Sequence, residues 1–337
     1  MSNTTRWGIL STAWINVALV GPLQRSPRSE LLAVASRSGE RARAFAKQNS
    51  IPRAYDDYGL LLADPDIEVI YNPLPNTMHS EWIVKAAAAG KHVLCEKPLT
   101  TTIEAFDAIE AAAAKAGVTV VEAISFLHHP QIAKIQELIR AGRLGELQLI
   151  NCWDAFHLAP EDRDNIRYRR DLGGGALWDV GVYPNSFAIA VAGAGPPVQV
   201  WACQSRNGTD VDLATTGQMR FANGVTAQIA CGMRSPERRG AQIIGSAGML
   251  EVMDHLSGGE WPGEPPREGR LTYTGRDGRE EVIPIPAVNA FQCEVEAMEA
   301  CVLDGAEPVV SLRQSREFLQ SLLALHRSAE TGTVVSL

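Results

Sequence analysis

Apolar residues along the first third of the chain fall into short, nearly continuous runs, separated by longer segments in which they recur every three or four positions. The runs at 6–10, 30–35, 69–71, 92–95 and 118–122 read as buried strands, and the segments 14–25, 40–48, 80–89 and 103–116 between them read as helices. Such alternation predicts a doubly wound parallel sheet with right-handed crossovers.

Past Phe126 the pattern changes. A helix is expected at 130–141, followed by strand-like runs at 147–156, 198–205, 214–221, 226–233 and 241–244, most without an intervening helix. That order predicts a large, mostly antiparallel sheet in an α+β domain. The glycine- and proline-rich stretch 257–270 reads as a loop, and 311–330 as a helix covering one face of the sheet. The fold class is thus α/β, divided into residues 1–125 and 126–337.

Composition narrows the function. A chain of 337 residues is longer than one hydrophobic core usually serves, and 45% apolar with 21% charged residues is a globular balance. A net charge of -8 disfavours nucleic acid or an anionic membrane as partner, while leaving room for a local basic pocket. No run of 18 apolar residues and no signal-peptide pattern is present, so the expected location is the cytoplasm. The six cysteines form no C-x-x-C pair and read as buried free thiols, with no metal site.

The candidate chemistry centres on Val93-Leu94-Cys95-Glu96-Lys97-Pro98-Leu99. The carboxyl end of a buried parallel strand is where open α/β sheets bind ligands, so Lys97 points its ammonium into a crevice, with Pro98 restricting its backbone. A dinucleotide site needs a glycine-rich first turn, but counting from Gly8 the three fingerprint positions hold Ser11, Ala13 and Asn16. Ser11 and Ala13 are small enough for a pyrophosphate to approach the helix amino terminus; Asn16 is large for the third position. At the end of the second strand, Ser36-Arg37-Ser38 offers two hydroxyls and a guanidinium instead of an acid, with Arg41 following, which suits a 2′-phosphate and hence NADP over NAD. In the second half, Gly173 to Tyr183 reads as a glycine turn opening a helix, with Asp179 and Tyr183 at i and i+4 on one face.

Taken together, Gly8-Ile9-Leu10-Ser11-Thr12-Ala13, Asn72-Pro73-Leu74-Pro75-Asn76-Thr77-Met78-His79, Glu96-Lys97-Pro98, Glu122-Ala123 and Gly173 to Tyr183 resemble the Gfo/Idh/MocA family of NAD(P)-dependent oxidoreductases. Asn165-Ile166-Arg167 before the triple glycine, with Tyr183 ending the motif, is most similar to the branch of D-xylose dehydrogenases, glucose-fructose oxidoreductase and dihydrodiol dehydrogenases. The resemblance implies an amino-terminal Rossmann domain and a carboxyl-terminal domain for substrate binding and for assembly into a homodimer or homotetramer through its sheet. It implies cofactor contacts from Ser11, Thr12, Ala13, Trp14, Ile15, Ser36, Arg37, Ser38, Arg41, Asn72, Pro73, Leu74, Asn76, His79, Glu96, Lys97, Glu122, Ala123 and Arg167. Lys97, Asp179 and Tyr183 are the catalytic candidates, expected to converge on one substrate hydroxyl; either Lys97 or Tyr183 can take its proton, while Asp179 orients. The function implied is hydride transfer between NADP and a carbinol of a sugar or cyclic polyol. A keto-sugar reductase or dihydrodiol dehydrogenase is the alternative on the same fold, and a non-catalytic NAD(P)-binding regulator the alternative of another class.

Overall fold

The computed structural model describes residues 3–162, 164–253 and 268–337. Contacts divide these residues into two compact units. The first runs to His128 and includes Ala290–Ser315; the second begins at His129 and includes Arg316–Leu337.

The first unit holds six strands: β1 (Thr5–Leu10), β2 (Ser29–Ala35), β3 (Arg53–Tyr55), β4 (Val69–Asn72), β5 (His92–Glu96) and β6 (Val120–Ala123). They lie in the order β3-β2-β1-β4-β5-β6, and every pairing is parallel. Because the order reverses beside β1, the carboxyl ends of β1 and β4 diverge at the position where such sheets take ligands. Ile9, Leu10, Val34, Ile70, Val93 and Leu94 are fully buried, which explains why these strands read as apolar runs rather than alternating ones. The crossovers are α1 (Asn16–Arg25), α2 (Gly39–Gln48), the short α3 (Tyr58–Leu62), α4 (His79–Ala88) and α5 (Ile103–Ala116). Side-chain caps set several starts: Ser38 Oγ accepts from Arg41 N at 3.3 Å, and Thr102 Oγ1 accepts from Ala105 N at 3.2 Å.

The second unit opens with α6 (Pro130–Arg140) and strand β7 (Leu147–His157), followed by α7 (Ala176–Asp179) and α8 (Val182–Ala192). Strands β8 (Gln199–Ser205), β9 (Ala214–Arg220), β10 (Thr226–Gly232), β11 (Arg234–Gly245), β12 (Gly248–Met253), β13 (Gly269–Gly275) and β14 (Glu280–Ile285) complete most of its sheet. With β15 (Val335–Ser336) the order is β14-β13-β12-β11-β7-β10-β9-β8-β15, antiparallel except where β7 meets β10. The last helices of the chain are α9 (Ala290–Asp304) and α10 (Leu312–Thr331).

Three local differences from the sequence reading have physical causes. The expected helix through Gly173–Tyr183 is two helices, broken at Val180-Gly181, so Asp179 and Tyr183 do not share a continuous i, i+4 face. Val180 leaves regular helical geometry at φ -110°, and Gly181 N donates to Ala176 O, five residues back, at 2.8 Å, so the first helix closes in a wide turn before the second begins. Second, β11 runs over 12 residues where only 241–244 read as strand, because its first half, Arg-Ser-Pro-Glu-Arg-Arg, is polar, carries a proline and has no apolar alternation. Third, α9 was not anticipated and lies within the first unit, although 126–337 was expected to form one domain. It packs on α1 and on the turn at 125–128. Glu299 accepts from Ser29 Oγ at 2.5 Å, and Asp304 takes Arg28 at 2.7 and 2.8 Å. Nothing in the local periodicity of a helix says which sheet it returns to. The loop expected at 257–270 falls outside the described residues up to 267, and its last two positions, Gly269 and Arg270, belong to β13.

Candidate functional site

In the first unit the site is built from four strand ends. At the end of β1, Ser11 adopts a left-handed φ of 80°, a conformation that glycine adopts without strain. The turn is braced from three sides: Ser11 N donates to Ala35 O at 2.8 Å, Ala13 N donates to Ser11 Oγ at 3.2 Å, and Asn16 Nδ2 donates to Ser11 O at 2.9 Å. Asn16, large for a fingerprint glycine, therefore does not splay the helix from the sheet. It is fully buried and folds back to hold the turn. No acidic residue occupies the first turn of α1, so its positive end is uncompensated by side chains. Trp14 there is exposed, and Thr12, Ala13 and Ile15 are half-buried beside it.

The end of β2 carries the second group. Ser36 is buried with its amide on the Tyr55 carbonyl at 3.0 Å, Ser38 N donates to Ser36 Oγ at 3.3 Å, and Arg37 and Arg41 are exposed. The Arg37 and Arg41 charges also reach Tyr58, pulling against the burial that raises its phenol pKa. This geometry fits a dinucleotide: a tight turn at a helix amino terminus, then hydroxyls and a guanidinium where an adenosine ribose with a 2′-phosphate would be held.

The ends of β4 and β5 are clipped together. Asn72, fully buried, accepts from Leu74 N at 3.3 Å. His79 is fully buried, with Nε2 2.7 Å from the Leu74 carbonyl and Nδ1 2.9 Å from the Pro98 carbonyl, so its ring braces Pro73-Leu74 and the Lys97-Pro98 turn rather than facing outward. Burial lowers its pKa. Asn76, in a one-turn helix, is half-buried. Lys97 follows β5 at a cis Lys97–Pro98 peptide and is half-buried. Glu96 accepts from the buried Tyr71 hydroxyl at 2.6 Å, and Glu122, paired in register with Cys95 and next to the buried Ala123, accepts from Leu99 N at 2.8 Å. Tyr71 escaped the sequence reading because a tyrosine inside an apolar strand reads as core. Glu294 of α9, 1% exposed, was missed with its helix; burial first, and then the Glu96 charge, hold its carboxyl well above the usual range.

In the second unit the triple glycine organises the other candidates. Gly173 ends a one-turn helix with φ 77°, and Gly174 N and Gly175 N donate to the Arg169 and Arg167 carbonyls at 2.9 and 3.0 Å. Gly175 has φ 122°, and a Cβ on it would sit 2.3 Å from Asp212 Oδ1. That closeness lets Asp212 cap α7, accepting from Leu177 N at 2.8 Å and from Thr215 Oγ1 at 2.7 Å. Asp179, the last residue of α7, takes Arg167 Nε on Oδ2 at 2.5 Å. Arg167 is held in place by Asn165, whose Oδ1 accepts from Arg167 N at 3.1 Å. Desolvation works against the Arg167 charge, but Asp179 and Tyr183 outweigh it and raise its pKa. Arg167, expected among cofactor contacts, is thus placed with Asp179 and Tyr183. Asp212 was missed because a lone acid between strands carries no motif.

Comparison with known proteins supplies the family. Residues 5–124 match the model of an oxidoreductase family with an NAD-binding Rossmann fold, and residues 132–251 match the GFO/IDH/MocA C-terminal domain. The chain belongs to the Gfo/Idh/MocA oxidoreductase family. Among its relatives, D-xylose 1-dehydrogenase (NADP(+)) 2 of Haloferax volcanii is 34% identical over 98% of this chain and 99% of that protein. A trans-1,2-dihydrobenzene-1,2-diol dehydrogenase of Bos taurus is 31% identical over 74% of each chain. Among solved structures, a 3-ketoreductase from Actinomadura kijaniata in complex with NADP and TDP-benzene superposes with a TM-score of 0.85 at 29% identity, covering 97% of this chain and 98% of that one. As members of this family, the two units carry a Rossmann sheet and a mostly antiparallel sheet, and the chain is an oxidoreductase. Among the described residues no helix is long and apolar enough to cross a membrane.

Proposed function

We propose that the protein is an NADP-dependent dehydrogenase transferring a hydride between the nicotinamide and a carbinol of an aldose or related cyclic polyol. The observation that carries the reading is the pairing, in one chain, of a strand-end Lys97 braced through Pro98 and Leu99 with an Arg167–Asp179 ion pair beside Tyr183. The xylose dehydrogenase, dihydrodiol dehydrogenase and ketoreductase relatives support a sugar-like or diol substrate, and two of them name NADP. The cofactor, when bound, supplies the hydride acceptor. The chain supplies the rest: Ser11 to Ile15 with Asn72, Pro73, Leu74 and Asn76 cradle the phosphates and ribose, and Ser36, Arg37, Ser38 and Arg41 take the 2′-phosphate. His79 and Glu122 hold the turns that present Glu96, Lys97 and Ala123. Lys97 or Tyr183 accepts the hydroxyl proton, and Asp179, oriented by Arg167, holds a neighbouring substrate hydroxyl.

In this reading residues 1–125, with Ala290–Ser315 packed in the same unit, bind the dinucleotide, and the rest of 126–337 binds substrate and assembles the protein as a homodimer or homotetramer. The sheet face bearing Trp153, Trp201, Gln218 and Gln228 is the proposed contact, supported by the half-exposed Trp201 and a shallow apolar depression there. The six free thiols fit the reducing cytoplasm.

The test is a screen of purified protein with aldoses, inositols and diols, following reduced-cofactor absorbance with NADP and with NAD, on a preparation whose mass is measured by light scattering. Turnover is expected with NADP and an aldose, on a dimer or tetramer. Arg37→Ala should weaken NADP by about 1.5–3 kcal/mol, roughly 10- to 150-fold, and leave NAD nearly unchanged, because one charge-assisted hydrogen bond is lost. Equal use of both cofactors by the unmutated protein would defeat the assignment of Arg37.

A further inference from the structure

The turn that presents Lys97 is anchored by a buried acid. Glu122, the penultimate residue of the edge strand β6, is 3% exposed. Its Oε1 accepts from Leu99 N at 2.8 Å, two residues beyond the lysine, while Oε2 is buried without a well-formed hydrogen bond. The groups that act on the Glu122 charge come from three elements: Cys95, in register with it, and Glu96 of β5, Lys97 of the following turn, and Ser315 of α10. Only Lys97 among them brings a positive charge.

We propose that Glu122 is a positioning residue for Lys97: its carboxyl fixes the turn through the Leu99 amide and, when ionised, is the counter-charge that sets where the lysine gives up its proton. The inference rests on the reading of Lys97 as a proton-transferring group. A carboxyl this deep resists ionisation, and burial pushes it up to about 7 against the Ser315 hydroxyl, the Leu99 N–H and the Lys97 charge, which lower it; Glu96 adds to the rise. Its charge therefore changes in the neutral range. Below that range Lys97 faces a neutral acid and loses its proton more readily; above it the carboxylate favours the ammonium.

The test separates this role from a merely structural one. Glu122→Gln keeps an acceptor for Leu99 N–H at nearly the same volume but removes the charge. The rate of Lys97 acylation by acetic anhydride as a function of pH, read by peptide mass spectrometry on the full chain without cofactor, should show its midpoint lowered by about one pH unit. The acid limb of kcat/KM for sugar oxidation should move the same way if the neutral lysine is the base. Glu122→Asp, which keeps the charge, should restore the midpoint. If Glu122→Gln does not fold, the unmutated protein still decides the matter: its Lys97 labelling curve should carry a second inflection near neutral pH, and a single-step curve would overturn the proposal. Unchanged midpoints in Glu122→Gln overturn it too, with the catalytic role of Lys97 untouched. Full activity of Lys97→Ala would instead remove the catalytic reading, and the labelling midpoint would still report the coupling.

Discussion

Lys97→Ala and Tyr183→Phe should each lower kcat on a confirmed substrate by about 10²–10⁴-fold while leaving NADP affinity nearly intact, because acid-base groups act mainly in the transition state. The structure makes the lysine variant a clean one. The turn is held by backbone contacts of its neighbours, Pro98 O to His79 and Leu99 N to Glu122, so truncating the side chain leaves the backbone where it was. Tyr183, in the first turn of α8, has its backbone N–H on the Val180 carbonyl at 3.2 Å, a bond that phenylalanine keeps. Turnover measured beside a fluorescence titration of NADP distinguishes lost chemistry from lost binding. If the two groups serve one hydroxyl, the double variant should lose little more than the worse single variant. Near-normal turnover in both single variants would show the acid-base assignment to be wrong, with family membership unaffected.

Gly174→Ala should destabilise the protein by about 3 kcal/mol, through overpacking rather than through a forbidden dihedral. A Cβ there would lie 2.6, 2.8 and 2.8 Å from the carbonyl oxygens of Arg167, Arg169 and Ile166. Backbone cannot yield as a side chain can, so the segment carrying Arg167 would have to move. Gly90→Ala is the control: its φ is 73° but nothing lies within 4 Å of the new methyl, so strain alone should cost about 1–2 kcal/mol. Urea midpoints of the two variants measure the difference, and a Gly174→Ala midpoint no lower than that of Gly90→Ala would refute the close-approach argument. Since Arg167 holds Asp179, residual activity should fall with the displacement.

Much of the fold was legible in the chain. Runs such as Val93 to Cys95 are buried on both faces, and a parallel sheet needs that pattern, so the alternation of strand and helix was sufficient to predict its class. Lys97 and the Ser36-Arg37-Ser38 turn lie at the ends of β5 and β2, as their place in the sequence implied, because the end of an apolar run already marks a position at the edge of the sheet.

What the sequence left open depends on contacts between distant segments. The Asn16 side chain bonds to Ser11 O, and Ser11 takes a glycine-like φ of 80°, a conformation that no local propensity of serine announces. Arg167 turns to Asp179, 12 residues away, and Asp212 caps a helix 35 residues before it, because folding brings those groups within 2.5–2.8 Å. The same holds for α9, which returns Glu294 and Glu299 to the first unit more than 150 residues after that unit's last strand. The chain by itself determined the family, the strand ends and the residue types available there, since hydrophobic periodicity and short motifs are local. Tertiary structure alone decided which acids lose water and which keep a partner: burial and charge pairing belong to the folded surroundings of a residue, and they set Glu122 near neutrality and bind Asp179 to an arginine.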